Sequence, residues 1–164
     1  IYISLGTVNN QDLSFFQNCI EAFKDIDYHV IMSVGNIINI DQLGVIPENI
    51  KVEKSVNQIE VLKQSDVFIT HCGMNSVNEA LYYQVPLVLF PQTNEQRGVA
   101  YRVHELGAGN YLMKNSSKSI GEAVKEILAN PSYKQNAAKI AESFYRCGGV
   151  GTAADFIEKT AAFN

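Results

Sequence analysis

The chain has 164 residues, enough for one globular domain and too few for a second of ordinary size. Nearly half of the residues are apolar (46%) and the net charge is −4, which argues against a general nucleic-acid or membrane-surface role, since those proteins carry basic stripes. No apolar run approaches the ~20 residues of a membrane span, and Cys19, Cys72 and Cys147, odd in number and widely spaced, fit free thiols in a reducing cytoplasm better than a disulfide frame or a zinc site.

Strands and helices alternate along the chain, the pattern of a parallel sheet flanked by helices. Tyr2–Leu5 reads as a first strand, followed by a Gly6-Thr7 turn and a helix near 12–25. Tyr28–Ser33 and Ile50–Lys54 read as the next two strands; segment 36–49 between them lacks periodicity and is expected to be a loop closed by Pro47. A helix near 58–64 leads to strand Val67–Thr70, and a helix near 74–83 to strand Leu87–Phe90. A helix near 95–106 precedes the last strand, Asn110–Leu112. Helices alone follow: one near 119–129 behind the capping box Ser119-x-x-Glu122, one entered at Asn130-Pro131 and running to about 145, and one near 152–162 after the break Gly148-Gly149-Val-Gly151. The expected fold is α/β, a Rossmann-like doubly wound parallel sheet of about six strands with helices on both faces, and residues 1–164 make up one domain. Ile1 stands in place of Met and already lies in a strand-like run, so the chain is expected to be an excised piece of a longer protein whose other half precedes it.

Such sheets bind ligands beyond the C-terminal ends of their strands. Gly6-Thr7, Gly35, Ser55–Gln58, His71–Ser76 and Pro91–Gln96 all follow predicted strands, so they converge on one edge. The most informative stretch is Asp66-Val-Phe-Ile-Thr-His-Cys-Gly-Met-Asn-Ser-Val-Asn-Glu-Ala80. A short apolar strand runs into a Gly-containing turn and directly into a helix. That places free backbone N–H groups and the positive end of a helix dipole at the strand end, a setting for a phosphate. His71, Asn75 and Ser76 sit at the same spot, and Glu79, four residues beyond Asn75, shares its helix face. A phosphate-holding turn beside a carboxylate that accepts from hydroxyls suits a sugar nucleotide.

Plainer readings stand beside these. A lone histidine is more often structural than functional; Gly73, Asn75 and Ser76 serve a turn and a helix start; Glu79 is an ordinary first-turn acid. Glu95 and Gln96 follow Asn94, a natural N-cap. Gly-x-Gly-x-x-Gly is absent after the first strand and no acid ends the second, which argues against NAD.

The segment Thr70-His-Cys-Gly-Met-Asn-Ser-Val-Asn-Glu79 closely resembles the donor-binding box of the UDP-glycosyltransferase family, whose fold is GT-B. Ser55-Val-Asn-Gln58 resembles the opening of that box and Val85-Pro-Leu-Val-Leu-Phe-Pro-Gln-Thr-Asn-Glu-Gln96 its close. Ile1–Thr7 and Gly148–Glu158 also resemble the C-terminal half of the family, near its bacterial macrolide and flavonoid branch. The resemblance implies the donor half of an inverting glycosyltransferase that moves a hexose from a nucleoside diphosphate, most simply UDP, to a hydroxyl of a small-molecule acceptor.

It implies that His71, Gly73, Asn75 and Ser76 hold the diphosphate, with the Thr7 hydroxyl as a second contact. Val56 meets the base through its backbone; Gln58 is retained from the box; Glu79 accepts from the ribose; Glu95 and Gln96 grip the sugar. The family usually has an aromatic ring where this chain has Ser55, so the base, uracil or thymine, stays open. No catalytic residue is expected in this chain, because the family's base is a histidine on the N-terminal acceptor domain; no metal or cofactor is implied, the UDP-sugar being a co-substrate. Two alternatives are a stand-alone donor subunit completed by a separate membrane-anchored partner and a non-catalytic sugar-nucleotide-binding module.

Overall fold

The computed structural model describes residues 1–6 and 12–161. Six parallel strands, β1 (Tyr2–Ser4), β2 (Val30–Ser33), β3 (Ile50–Glu53), β4 (Phe68–Thr70), β5 (Leu87–Leu89) and β6 (Gly109–Tyr111), form one sheet in the order β3-β2-β1-β4-β5-β6. Seven helices accompany them: α1 (Leu13–Phe23), α2 (Gln58–Leu62), α3 (Met74–Tyr82), α4 (Asn94–Glu105), α5 (Ser117–Ala129), α6 (Ser132–Arg146) and α7 (Gly149–Ala161). The doubly wound α/β expectation therefore holds. Strand order reverses between β1 and β4, the place where such sheets open a crevice.

Both faces of the sheet are covered, which is why its strands read as continuous apolar runs. Alternate residues go to opposite sides. Ile3, Ile69 and Val88 enter a core completed by Phe15, Phe16, Cys19 and Phe23 of α1 and Ile120, Val124 and Ile127 of α5. Tyr2, Phe68, Leu87 and Leu89 enter a second core with Val77, Ala80 and Leu81 of α3, Val99, Ala100 and Val103 of α4, and Ala137 of α6. The Tyr2 ring stacks on Phe68 with centroids 4.5 Å apart, anchoring the switch-point strands to each other.

Several boundaries differ from those expected. The hydrogen-bonded strands are shorter, and Tyr28 and His29 precede β2. A 3-10 turn, Ile40–Leu43, capped by Asn39, interrupts the expected loop. α5 begins earlier because Ser116, not Ser119, is its N-cap: the Ser116 hydroxyl accepts from the Ser119 N–H. Glu122 instead lies 3.9 Å from Lys118, one turn back on the surface. α7 starts at Gly149 because the left-handed Gly148 (φ +70) and Gly149 (φ +59) complete the break between α6 and α7 by themselves. α7 buries none of its described side chains.

Candidate functional site

The strand ends open into a cleft of about 750 Å³. At its centre, at the switch point, β4 passes through His71 and Cys72 into α3. Cys72 takes a left-handed conformation (φ +67), uncommon for a residue with a side chain. Buried Thr70 supports the turn: its Oγ1 accepts the Cys72 N–H at 3.2 Å. The Cys72 thiol is fully buried, faces the Thr70 carbonyl, and is pushed up to about 12 by that burial. It is no nucleophile at neutral pH.

The turn leaves the start of α3 unsealed. Gly73 occupies the N-cap position and has no side chain to offer, and the first helical bond runs from the Val77 N–H to the Gly73 carbonyl. Asn75 and Ser76 are therefore inside the helix and cap nothing, which replaces the plainer reading of them as helix starters. The helices that follow β1, β3, β5 and β6 are each closed by a side chain, from Asp12, Asn57, Thr93 and Ser116. Among the described residues, only α3, after β4, presents its first-turn N–H groups and its dipole to the cleft. That is the electrostatic arrangement of an anion site.

His71 sits against this opening between two glycines. A Cβ on Gly6 would meet its Cε1 at 2.6 Å, and one on Gly73 would meet its Nε2 at 2.5 Å. Both positions need glycine for the ring to lie where it does, and Gly6 also has φ +77. The Nδ1 atom is buried without a hydrogen bond of proper geometry among the described residues. Burial lowers the pKa of His71 below the ordinary 6.5, against the Ser4 backbone and the Glu95 carboxylate, which favour the charged ring. The imidazole is thus mostly neutral at pH 7.

Toward β3, a hydrogen-bonded relay lines the wall. Gln58 accepts from the Tyr2 hydroxyl at 3.1 Å and donates to Ser76 Oγ (3.3 Å) and to Glu79 Oε2 (2.6 Å). Gln58 thus stands between Glu79 and the cleft. Glu79 shares the Asn75 face of α3 as its spacing demands, but its carboxylate is turned to Gln58 and lies behind the cleft wall, beside Ile59 and Tyr83. Glu79 therefore meets the cleft through Gln58, whose amide it holds. Tyr2 is a site residue that the motifs did not mark. A tyrosine in a buried strand needs a partner for its hydroxyl, and that requirement was the available signal.

On the other side, after β5, α4 is capped by Thr93, not Asn94. The Thr93 hydroxyl accepts from the Gln96 N–H, and Gln96 Oε1 accepts from the backbone N–H groups of Gln92 (2.7 Å) and Thr93 (3.1 Å). With Oε1 so occupied, Gln96 has only its Nε2 donors to present to the cleft it lines. Glu95 is exposed beside it and can only accept when ionised. The pair offers a hydroxyl-bearing ligand one donor and one acceptor.

Val56, Gln58, His71, Gly73, Asn75, Ser76, Glu95 and Gln96 all line this cleft. Thr7 lies outside the described residues. Their order across the sheet is informative. Val56 follows β3, His71 and the α3 start follow β4, and Glu95 and Gln96 follow β5. At about 4.8 Å per strand interval, these groups spread over about 19 Å, with the uncapped start of α3 between a half-apolar end and the Glu95–Gln96 pair. Elsewhere, His104 is held by its contact with the Gly109 carbonyl (3.2 Å). Among the described residues, no three His, Cys, Asp or Glu side chains converge as a metal site would require, and no helix is long and apolar enough to cross a membrane.

Residues 17–146 match the family described as erythromycin biosynthesis protein CIII-like, C-terminal domain. The chain is 40% identical over 159 residues to the UDP-glucosyltransferase YojK of Bacillus subtilis, covering 96% of this chain and 39% of that protein. It is 42% identical over 158 residues to the NDP-glycosyltransferase YjiC of Bacillus licheniformis, covering 95% of this chain and 40% of that one. Among solved structures, the calicheamicin glycosyltransferase CalG4 superposes with a TM-score of 0.90 at 32% identity, over 96% of this chain and 41% of CalG4. The chain spans about two fifths of the length of these relatives. It belongs to the CIII-like C-terminal domain family of UDP-glycosyltransferases, and its fold is that of a GT-B half.

Proposed function

We propose that this glycosyltransferase C-terminal domain binds a nucleoside-diphosphate sugar, most simply a UDP-sugar, as the donor half of an inverting enzyme that transfers a hexose to a small-molecule hydroxyl. The observation that carries this reading is the uncapped start of α3 at the switch point, with a neutral histidine wedged against it. Base and ribose lie toward Val56 and the Gln58–Glu79 pair, the diphosphate on the Met74–Ser76 N–H groups and His71, and the hexose between Glu95 and Gln96. This follows the linear order of the ligand.

The domain's contribution to transfer is orientation and charge stabilisation. As the sugar–phosphate bond breaks, negative charge grows on the departing diphosphate, and fixed N–H dipoles meet it without reorganisation. On this reading the acceptor cleft and the catalytic base come from outside this chain. The free thiols of Cys19, Cys72 and Cys147 fit a cytoplasmic setting.

Calorimetry with UDP, UDP-glucose and TDP-glucose, run beside a glycosyl-transfer assay, tests the reading. Binding without transfer is expected. Failure to bind any of the three overturns the donor assignment, and transfer to an alcohol by this chain alone overturns the placement of the base elsewhere.

A further inference from the structure

The β3 end of the cleft has no aromatic ring to hold a base. Ile37 and Val56 give it aliphatic walls, and Ser55 stands where a ring would be useful. Aliphatic side chains cover a base's faces but read nothing at its edge, which leaves that to the Val56 backbone and to any side-chain donor within reach. One strongly donating group is present. Lys54, directly after β3, is the only lysine or arginine lining the cleft among the described residues. Its side chain makes no ion pair or hydrogen bond among the described residues, and the adjacent acid, Glu53, is engaged by Lys51 at 3.2 Å.

Lys54 is badly placed to serve the diphosphate. Three strand intervals, about 14 Å, separate β3 from β4, more than a lysine side chain spans. The start of α3 already supplies the donors there. What Lys54 can reach is the nucleoside end.

Resting on the donor assignment above, we propose that Lys54 reads the edge of the nucleobase and selects bases carrying a carbonyl oxygen where cytosine carries an amino group. An ammonium group has three donors and no acceptor. Facing a carbonyl oxygen, as on uracil or thymine, it makes a charge-assisted bond. Facing an amino group, it meets donor with donor and is left unpaired. The chemical class selected is therefore the 4-oxo pyrimidine diphosphate, with the aliphatic pair supplying contact and Lys54 the choice.

Calorimetry of the wild-type chain, Lys54→Met and Lys54→Arg with UDP, CDP and inorganic diphosphate tests this. Methionine keeps most of the stem and removes charge and donors; arginine keeps both. The wild type should prefer UDP to CDP. Lys54→Met should weaken UDP by about tenfold, the scale of one charged hydrogen bond, and leave CDP and inorganic diphosphate unchanged. Lys54→Arg should retain the preference. Equal weakening of all three ligands would mean that Lys54 serves the phosphates, and equal weakening of UDP and CDP alone would mean contact without selection; either overturns the proposal. So does an unchanged profile in Lys54→Met. A wild-type chain that binds none of the three overturns the donor assignment itself, a result separable from the others.

Discussion

Replacing Gly73 with alanine isolates what the glycine does for His71. The backbone there (φ −62, ψ 135) is ordinary for any residue, so alanine introduces no conformational strain and shortens the list of unfolded conformations. Its methyl group would sit 2.5 Å from His71 Nε2 and 3.0 Å from Cε1, where non-bonded contacts settle at about 3.5–4.0 Å. The ring must therefore retreat by about 1 Å. A charge-assisted hydrogen bond to phosphate of about 2.8 Å does not survive that, and its loss is worth roughly 1.5–3 kcal/mol. UDP and inorganic diphosphate should both bind about 10- to 150-fold more weakly, with the circular dichroism spectrum and the melting temperature retained. Because the effect runs through the ring, Gly73→Ala should cost nothing further in a His71→Ala background. Wild-type affinity in Gly73→Ala would refute the reasoning, and so would an undiminished loss in the double variant, which would mean that the methyl group obstructs the ligand directly.

Four further outcomes follow from the same geometry. Since burial holds the His71 pKa below 6.5 and an adjacent phosphate raises it, UDP binding should take up a fraction of a proton near pH 6–7; calorimetry in buffers of different ionisation enthalpy should show that uptake in the wild type and its disappearance in His71→Gln. The same depression means the stability contributed by neutral His71 is fully present above about pH 6.5 and declines as pH falls below it, so melting temperatures of wild type and His71→Gln should converge or cross on acidification. Glu79→Ala removes the anchor of Gln58 and, on the proposed reading, the acceptor for the ribose, and should abolish any preference for UDP over 2′-deoxy-UDP in competition binding while leaving inorganic diphosphate unaffected. Thr70→Val leaves the Cys72 N–H buried without its 3.2 Å acceptor, so denaturant unfolding should show a loss of about 1–3 kcal/mol, largely restored in Thr70→Ser.

Periodicity alone was enough for the order of strands and helices, because strands covered on both faces are apolar throughout and the helices between them are amphipathic. The uncapped start of α3 was legible for a related reason: a glycine turn running straight into a helix leaves no side chain at the N-cap to close it. Local hydrogen bonding decided less predictably. Ser116 outcompeted Ser119 for the start of α5, and Thr93 displaced Asn94 at α4, since several adjacent polar residues were chemically competent and only the helix register chose among them. What lay beyond the sequence were contacts between segments far apart in the chain. The Tyr2–Gln58–Glu79 relay joins residues 56 and 21 positions apart, and the His71 ring rests on Gly6 as well as on its neighbour Gly73. Helix geometry put Glu79 on the face of Asn75, but the packing of α2 against α3 interposed an amide between that carboxylate and the cleft. Composition and spacing determine which groups a strand end can present; the strand order, which sets β1 beside β4, determines which of them meet.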